Sequence, residues 1–430
     1  MRTLLLLLFL WFVSSQKSKP VRYILYDVNP GEGFNLRRDV YMRMAVFVKK
    51  LNTAYPDTYW VLVLPPWGHL YHWQSRHLGD QARIPWGHFF RLESLGMFVP
   101  VIEFEDWVKD VGGVVGAVYY LQGFKEGWKD GKFEEKYDLR ECLEEPRYRL
   151  NSEGRYEGQF FHYEGVVAEH FACLSVMGHT SVVAPWVRDM QEQSVMLDRA
   201  ENLLHDWFGD EEYWGARRSM RFSNILVDRA NRFRLDVLGS EDIMDDTLVQ
   251  DDWRRHKAER RERGGPFGCV HLRRGDFARS RQDQVPSIKW AGEQLRRKMK
   301  EKNLDALFVS SDATKEEFRE LSANTKDVKV VRFEPTKEEL ELFKDGGVAI
   351  IDQSICSHAR YFIGSKESTF TFRIQEEREI MGFELRDTFD MLCGEGKDAC
   401  EGGTQWKIEW GDKEKKWETP RKNKEGKSEL

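Results

Sequence analysis

Beyond residue 265 the chain alternates short apolar runs with segments of helical period, and this rhythm is the strongest constraint on its fold. Residues 269–272 read as a strand, 285–302 as a helix and 306–310 as a strand. Residues 314–323 read as a helix capped by Asp312, and 328–333 as a strand. Helical segments then lead to a strand at 361–364 and a helix from Ser368. Strands joined through crossover helices pair in parallel, and a parallel sheet needs helices on both faces. The second half is therefore expected to be a doubly wound α/β unit.

The first half carries a related pattern. Residues 22–28 form a strand-like run that meets a loop holding Gly31, Glu32 and Gly33. Val40, Met44, Phe47, Val48 and Leu51 then share one helical face. Further strands are expected at 60–64, 99–104 and 114–121, a charged loop-like insertion at 123–156, an amphipathic helix at 194–208 and helical pattern through 217–233. A chain of 430 residues is too long for one ordinary core. Charged residues dominate 239–265, so the division falls there, giving units at 21–245 and 246–407. A Lys/Glu-rich tail follows at 408–430.

The run from Gly268 to Phe277 leaves the core as a strand and ends in Arg273, Arg274, Gly275 and Asp276. Open α/β sheets place ligand-binding side chains at such strand ends. If the two arginines extend the strand, one faces a cleft and the other faces outward. A guanidinium offers a fixed fork of donors to phosphate oxygens, although surface Arg–Asp pairing would also account for these residues taken alone. Lysine and arginine total 66 against 72 acidic residues, a net charge of −6, which excludes a general nucleic-acid binder. His69, His72 and His77 lie in an aromatic loop at a spacing that suits no metal site, and no Asp-x-Asp occurs.

The termini read as addresses. Residues 4–13 are apolar but too short to span a bilayer, and Ser14 and Ser15 follow; a secretory signal peptide at 1–15 is expected, with no transmembrane anchor. Lys427-Ser-Glu-Leu430 resembles an endoplasmic reticulum retrieval signal, so residence in the lumen is expected. An oxidising lumen favours disulfides. Of the fifteen possible pairings, Cys142–Cys173 and Cys393–Cys400 are expected, the first around a polar insertion and the second closing a small loop. Cys269 and Cys356, both in apolar runs, are expected to be free buried thiols.

Three segments carry a family resemblance: His271-Leu-Arg-Arg-Gly-Asp276, Ser311-Asp312, and Asp352 with Ser368-Thr-Phe370. They resemble the peptide motifs of fucosyltransferases that use GDP-fucose. The loop from Tyr26 to Asp39, Leu64-Pro-Pro-Trp-Gly68 and the stretch from Ser194 to Asp206 are similar to those protein O-fucosyltransferases that modify thrombospondin type 1 repeats. The resemblance runs from about residue 22 to 407. It implies a GT-B architecture of two Rossmann-like domains about a central cleft, and inverting transfer of fucose from GDP-β-L-fucose to Ser or Thr without a metal or other cofactor. It implies Glu32 as general base and Arg273 as stabiliser of the leaving group. Gly31, Glu32, Gly33, Phe34, Asn35, His271, Leu272, Arg273, Asp352, Ser368, Thr369 and Phe370 are the implied donor contacts. The partners implied are GDP-fucose and folded thrombospondin repeats, with the enzyme a monomer. The chain departs from the family pattern in lacking an Asn-x-Ser/Thr sequon and in carrying Gly31 where a second proline is expected. Two other readings fit less of the chain: an O-fucosyltransferase for EGF-like repeats, and a non-catalytic lumenal binder of disulfide-rich modules.

Overall fold

The computed structural model describes residues 19–408, apart from 69, 74, 80, 128–132, 258–259, 281–283, 385–389, 398–399 and 401–407. The signal peptide, the tail beyond residue 408 and His69 lie outside the described residues.

In the first half β1 (Val21–Tyr26), β2 (Tyr59–Leu64), β3 (Val101–Glu103), β4 (Val114–Gln122), β5 (Lys136–Arg140), β6 (Arg149–Leu150), β7 (Tyr156–Glu157), β8 (Val167–Met177) and β9 (Ser194–Asp198) form one sheet. Its parallel part runs β3-β2-β1-β9-β4-β8, with β5 and β7 pairing antiparallel to β8 at one side. In the second half β10 (Gly265–Leu272), β11 (Ala306–Ser311), β12 (Lys329–Val331), β13 (Ala359–Gly364) and β14 (Asp390–Met391) pair in parallel in the order β12-β11-β10-β13-β14. The helices of eight residues or more are α1 (Phe34–Ala54), α2 (Phe104–Val111), α3 (Glu211–Ser219), α4 (Asn224–Leu238), α5 (Ile288–Glu301), α6 (Lys315–Asn324), α7 (Lys337–Ser357) and α8 (Thr369–Met381).

In both sheets the strand order reverses beside the first strand, at β1/β9 and at β10/β13, while the strands stay parallel. The loops leaving β1, β10 and β13 therefore open at the points where doubly wound sheets form ligand crevices. Helix α4 packs on α7, so elements that cover the second sheet begin ahead of the charged 239–265 stretch.

Three expectations need correction. Residues 194–198 are not helical: they form β9, buried at every position between β1 and β4. A strand covered on both faces has no polar side, so its apolar run mimics a buried helix. Helix α6 is capped by Thr314, whose hydroxyl accepts the Glu317 N–H while Glu317 reaches back to the Thr314 N–H. Asp312 is occupied elsewhere. Finally, Cys269 and Cys356 are not free thiols. Strand β10 lies against α7, the two Cα atoms stand 5.2 Å apart, and the sulfurs are bonded. The Cys142–Cys173 and Cys393–Cys400 bridges are present as expected.

The halves meet across buried polar groups. Arg38 of α1, fully buried, donates to Asn35 Oδ1 at 3.2 Å and to Gln353 Oε1 of α7 at 2.8 Å. Arg373 of α8 joins Asp39 of α1 at 3.2 Å and Glu376 at 2.8 Å, and Glu376 in turn accepts from Arg217 of α3 at 2.7 Å. Burial opposes ionisation of Asp39, yet His205, Arg373 and Arg43 hold its carboxyl well below the usual range.

Candidate active site

The loop from β1 to α1 is a tight turn. Asn29 Oδ1 accepts the Gly31 N–H at 3.2 Å, Asn29 O accepts the Glu32 N–H at 2.9 Å, and Arg37 Nε donates to Glu32 O at 3.0 Å. The backbone of Glu32 is thus held from both sides, while its carboxylate accepts no hydrogen bond from a described residue. A Cβ at Gly33 would stand 3.3 Å from His72 Cδ2, whereas at Gly31 it would meet only Asn29 at 3.8 Å. Close approach therefore constrains Gly33 and leaves Gly31 free.

Facing this turn across a cleft of about 700 Å³ is the end of β10. Arg273 points into the cleft. Its Nη1 donates to Asp312 Oδ2 at 2.6 Å, and its Nη2 donates to Asp276 Oδ1 at 2.6 Å and to His72 Nδ1 at 3.2 Å. The Nε–H and one Nη1 N–H have no acceptor among the described residues. Burial and the neighbouring Arg273 lower the pKa of His72, which keeps it a neutral acceptor. Arg274 turns outward to Glu317 Oε1 at 2.9 Å and Pro286 O at 2.9 Å, the opposite direction demanded by strand alternation. Asp312 Oδ1 also takes the Arg274 N–H at 2.6 Å. This packing requires glycine at 275, where φ is +21° and a Cβ would stand 2.5 Å from Asp312 Oδ2.

The remaining walls come from α7, α8 and the aromatic loop. His271 is nearly buried, stacks on Phe370 at 4.3 Å and shares a 2.7 Å hydrogen bond with Thr371 Oγ1; burial and Arg273 bring its pKa down to about 3, so it is neutral. Ser368 stands at the N-terminal boundary of α8 without a side-chain hydrogen bond to its first N–H groups, and the first turn with Thr369 and Phe370 opens toward the cleft. Free N–H groups and the helix dipole at such an end favour anions. Asp352 Oδ2 accepts from Ser310 Oγ at 2.8 Å, and Oδ1 is buried with no partner among the described residues. Burial pushes its carboxyl up to about 7. Asp345, at a kink in α7 where Lys344 has φ +59°, accepts from Ser75 Oγ at 2.5 Å and Gln81 Nε2 at 2.9 Å and so ties the aromatic loop across the cleft.

Of the residues expected from sequence, Gly31, Glu32, Gly33, Phe34, Asn35, His271, Arg273, Asp352, Ser368, Thr369 and Phe370 all line this cleft. Phe34 sits among Trp67, Trp73 and Phe89, at ring separations of 4.8, 5.8 and 5.6 Å, and the Asn35 oxygen is engaged by Arg38 and Gln353. Leu272 does not line it. Its side chain is in the core beneath the second sheet and its carbonyl accepts the Ser311 hydroxyl, because alternation along β10 turns it away from His271 and Arg273. Sequence reasoning passed over Tyr71, His72, Asp276, Asp312 and Asp345 as site residues. The aromatic loop carried a signal, its density of His and Trp, that packing alone also explains.

A family model described as GDP-fucose protein O-fucosyltransferase matches residues 23–381. GDP-fucose protein O-fucosyltransferase 2 of Homo sapiens is 50% identical over 390 residues, covering 90% of this chain and 90% of the relative. The protein of the same description from Caenorhabditis elegans is 43% identical over 393 residues, again covering 90% of each. That from Drosophila melanogaster is 37% identical over 412 residues, 91% of this chain and 83% of the relative. Among solved structures, POFUT1 in complex with GDP-fucose gives a TM-score of 0.57 at 16% identity, covering 87% of this chain and 99% of that one. POFUT1 in complex with GDP gives 0.55 at 16% identity, covering 88% and 100%. At such identity these structures speak to the fold, which is the two-sheet GT-B arrangement.

Proposed function

The chain belongs to the GDP-fucose protein O-fucosyltransferase family, and from that premise we propose that it transfers fucose, with inversion and without a metal, from GDP-β-L-fucose to Ser or Thr of folded thrombospondin type 1 repeats. The observation that carries the reading is the pairing, across one cleft, of an unengaged Glu32 carboxylate on a rigid turn with the Arg273 guanidinium at the end of β10.

The chemistry follows from those positions. A Ser or Thr hydroxyl is a weak nucleophile near neutral pH, and Glu32 takes its proton as the oxygen attacks C1 of fucose. The C1–O bond to the β-phosphate breaks on the opposite face of the sugar, which inverts C1 and releases GDP. Negative charge then grows on the β-phosphate. The uncommitted N–H groups of Arg273 and the first turn of α8 meet it, fixed in place beforehand by Asp276, Asp312 and His72. Asp276 and Asp312 hold Arg273 in place while part of its N–H set stays uncommitted, so the guanidinium can hydrogen-bond the leaving phosphate in a reaction that proceeds without a metal. Asp352, with one orphaned oxygen, suits the adjacent N–H donors of guanine.

Residence in the endoplasmic reticulum lumen is part of the proposal. It is supported by the apolar leader and by Lys427–Leu430, whose deletion should raise the secreted fraction if they form the retrieval signal. The experiment for the activity is to incubate purified protein with GDP-fucose and folded repeats of both kinds. Transfer to thrombospondin repeats and not to EGF-like repeats is expected. The reverse preference would favour the EGF-directed reading, and GDP binding with no transfer to either would reduce the protein to a binder.

A further inference from the structure

A second cavity, of about 260 Å³, lies on the first half and touches the same turn that carries Glu32. Pro30 and Arg37 belong to both features: Arg37 holds the Glu32 carbonyl through Nε, while its side chain lines the second cavity with Arg83 and Arg147. The three guanidiniums line one cavity without a close ion pair, although Asp27, Glu201 and Glu32 act on Arg37, and Asp198 on Arg147, through space. Arg37 donates only to backbone carbonyls, Arg147 donates to Gln159 Oε1 at 3.2 Å, and Arg83 lies 5.4 Å over the Tyr163 ring. None of them stands within ion-pair distance of a described carboxylate. In a chain with net charge −6, whose arginines are for the most part matched by acids, such a cluster is out of keeping with its surroundings. Asp27, the carboxyl in the wall, is pushed up to about 7 by burial and by Asp198, which weakens its compensation of the cluster near neutral pH.

The backbone around the cavity is an independent sign. Arg83 has φ +53°, and Phe160, Phe161 and His162 follow one another at +28°, +57° and +63°. Non-glycine residues in this region are strained and persist where the surroundings over-determine them, which happens preferentially at binding sites. Arg83, Phe161 and His162 all line the cavity.

We infer that this cavity is an acceptor subsite that receives a carboxylate side chain flanking the Ser or Thr to be modified, with Arg83 and Arg147 as its specificity-determining residues. The inference rests on the proposed fucosyltransfer. Pro30 and Arg37 line the cavity, and Arg37 holds the Glu32 carbonyl, so the cavity adjoins the turn on which the acceptor hydroxyl is to be deprotonated. Arg83 and Arg147 are exposed and can meet a partner on arrival, with Trp67 and Phe161 as aromatic walls of the same cavity.

The test uses one folded thrombospondin type 1 repeat made with Glu, Gln or Lys at each exposed position flanking its acceptor residue. Binding is measured by calorimetry in the presence of GDP, and transfer kinetics are measured alongside. At one flanking position the Glu form should bind the wild-type chain about tenfold more tightly than the Lys form, a difference appearing in KM rather than kcat. In the double variant Arg83→Gln, Arg147→Gln that preference should disappear, with GDP affinity and the melting curve unchanged; Arg83→Lys with Arg147→Lys should restore part of it. No preference at any position, or a preference that survives the double variant, overturns the subsite. Arg-dependent binding of the Glu form without fucose transfer would sink the fucosyltransfer reading and leave the subsite standing. Transfer with no charge preference would do the reverse.

Discussion

Asp352 has one oxygen bonded to Ser310 and the other buried without a partner, and its carboxyl is raised to about 7 by burial. A guanine ring needs the ionised form as acceptor. Above pH 7 the carboxylate is available. As pH falls through 7 it takes a proton, and GDP affinity should fall by up to about tenfold per pH unit. Calorimetry of wild type beside Asp352→Asn isolates this effect from the titration of the phosphate: the variant should bind weakly and lose the difference. Equal pH profiles would remove Asp352 from donor recognition. Arg273 invites a second test. Arg273→Lys keeps the charge but cannot span Asp276, Asp312 and His72 at once. Turnover should drop roughly 10²–10³-fold, the usual loss for a preorganised stabiliser of developing charge. Transfer at the native rate would pass the phosphate role to another group.

Strand β10 and helix α7 carry the two sides of the donor site, Arg273 on one and Asp352 on the other, and the Cys269–Cys356 bridge joins them one helical turn from Asp352. Replacing both cysteines by Ala should cost roughly 2–5 kcal/mol of stability, as removal of a long-range disulfide commonly does. Chemical denaturation measures the loss. Unreduced peptide mapping that found both thiols free in the native protein would contradict the assignment. The element scale is also where the sequence was most and least legible. The βα alternation after residue 265 predicts the parallel sheet and its strand ends, because helical and strand periods differ sharply there. Strand β9 was hidden because burial on both faces removes the period. The Cys269–Cys356 pairing was hidden because it depends on how a strand seats on a helix 87 residues away, which no local pattern records.

Across the whole molecule, α1 and α3 of the first half grip α7 and α8 of the second through Arg38, Arg217, Arg373, Asp39 and Glu376. These charges lie in apolar surroundings, and no local pattern records that Asp39 and Arg373, more than 300 residues apart, neutralise one another. Arg373→Met leaves Asp39 and Glu376 short of a buried partner. It should destabilise the fold by about 3–5 kcal/mol, read from denaturation midpoints, with unchanged stability counting against the network. The cleft itself was legible at its two poles, Glu32 and Arg273, through motif resemblance. Asp312 lies in one of the resembling motifs but reads locally as a helix cap, and His72 reads as part of a packed aromatic loop, so their hold on Arg273 was not legible.

Removal of the acceptor proton by Glu32 is tested by Glu32→Gln, which preserves size and hydrogen-bonding shape. GDP binding by calorimetry, the melting curve and fucose transfer to a folded thrombospondin repeat are measured on the same preparation. Unchanged GDP affinity and melting temperature are expected, with turnover lower by roughly 10²–10⁴-fold, the usual contribution of a positioned base. Near-native transfer by Glu32→Gln would remove Glu32 as the base and leave water or another carboxylate to take the proton.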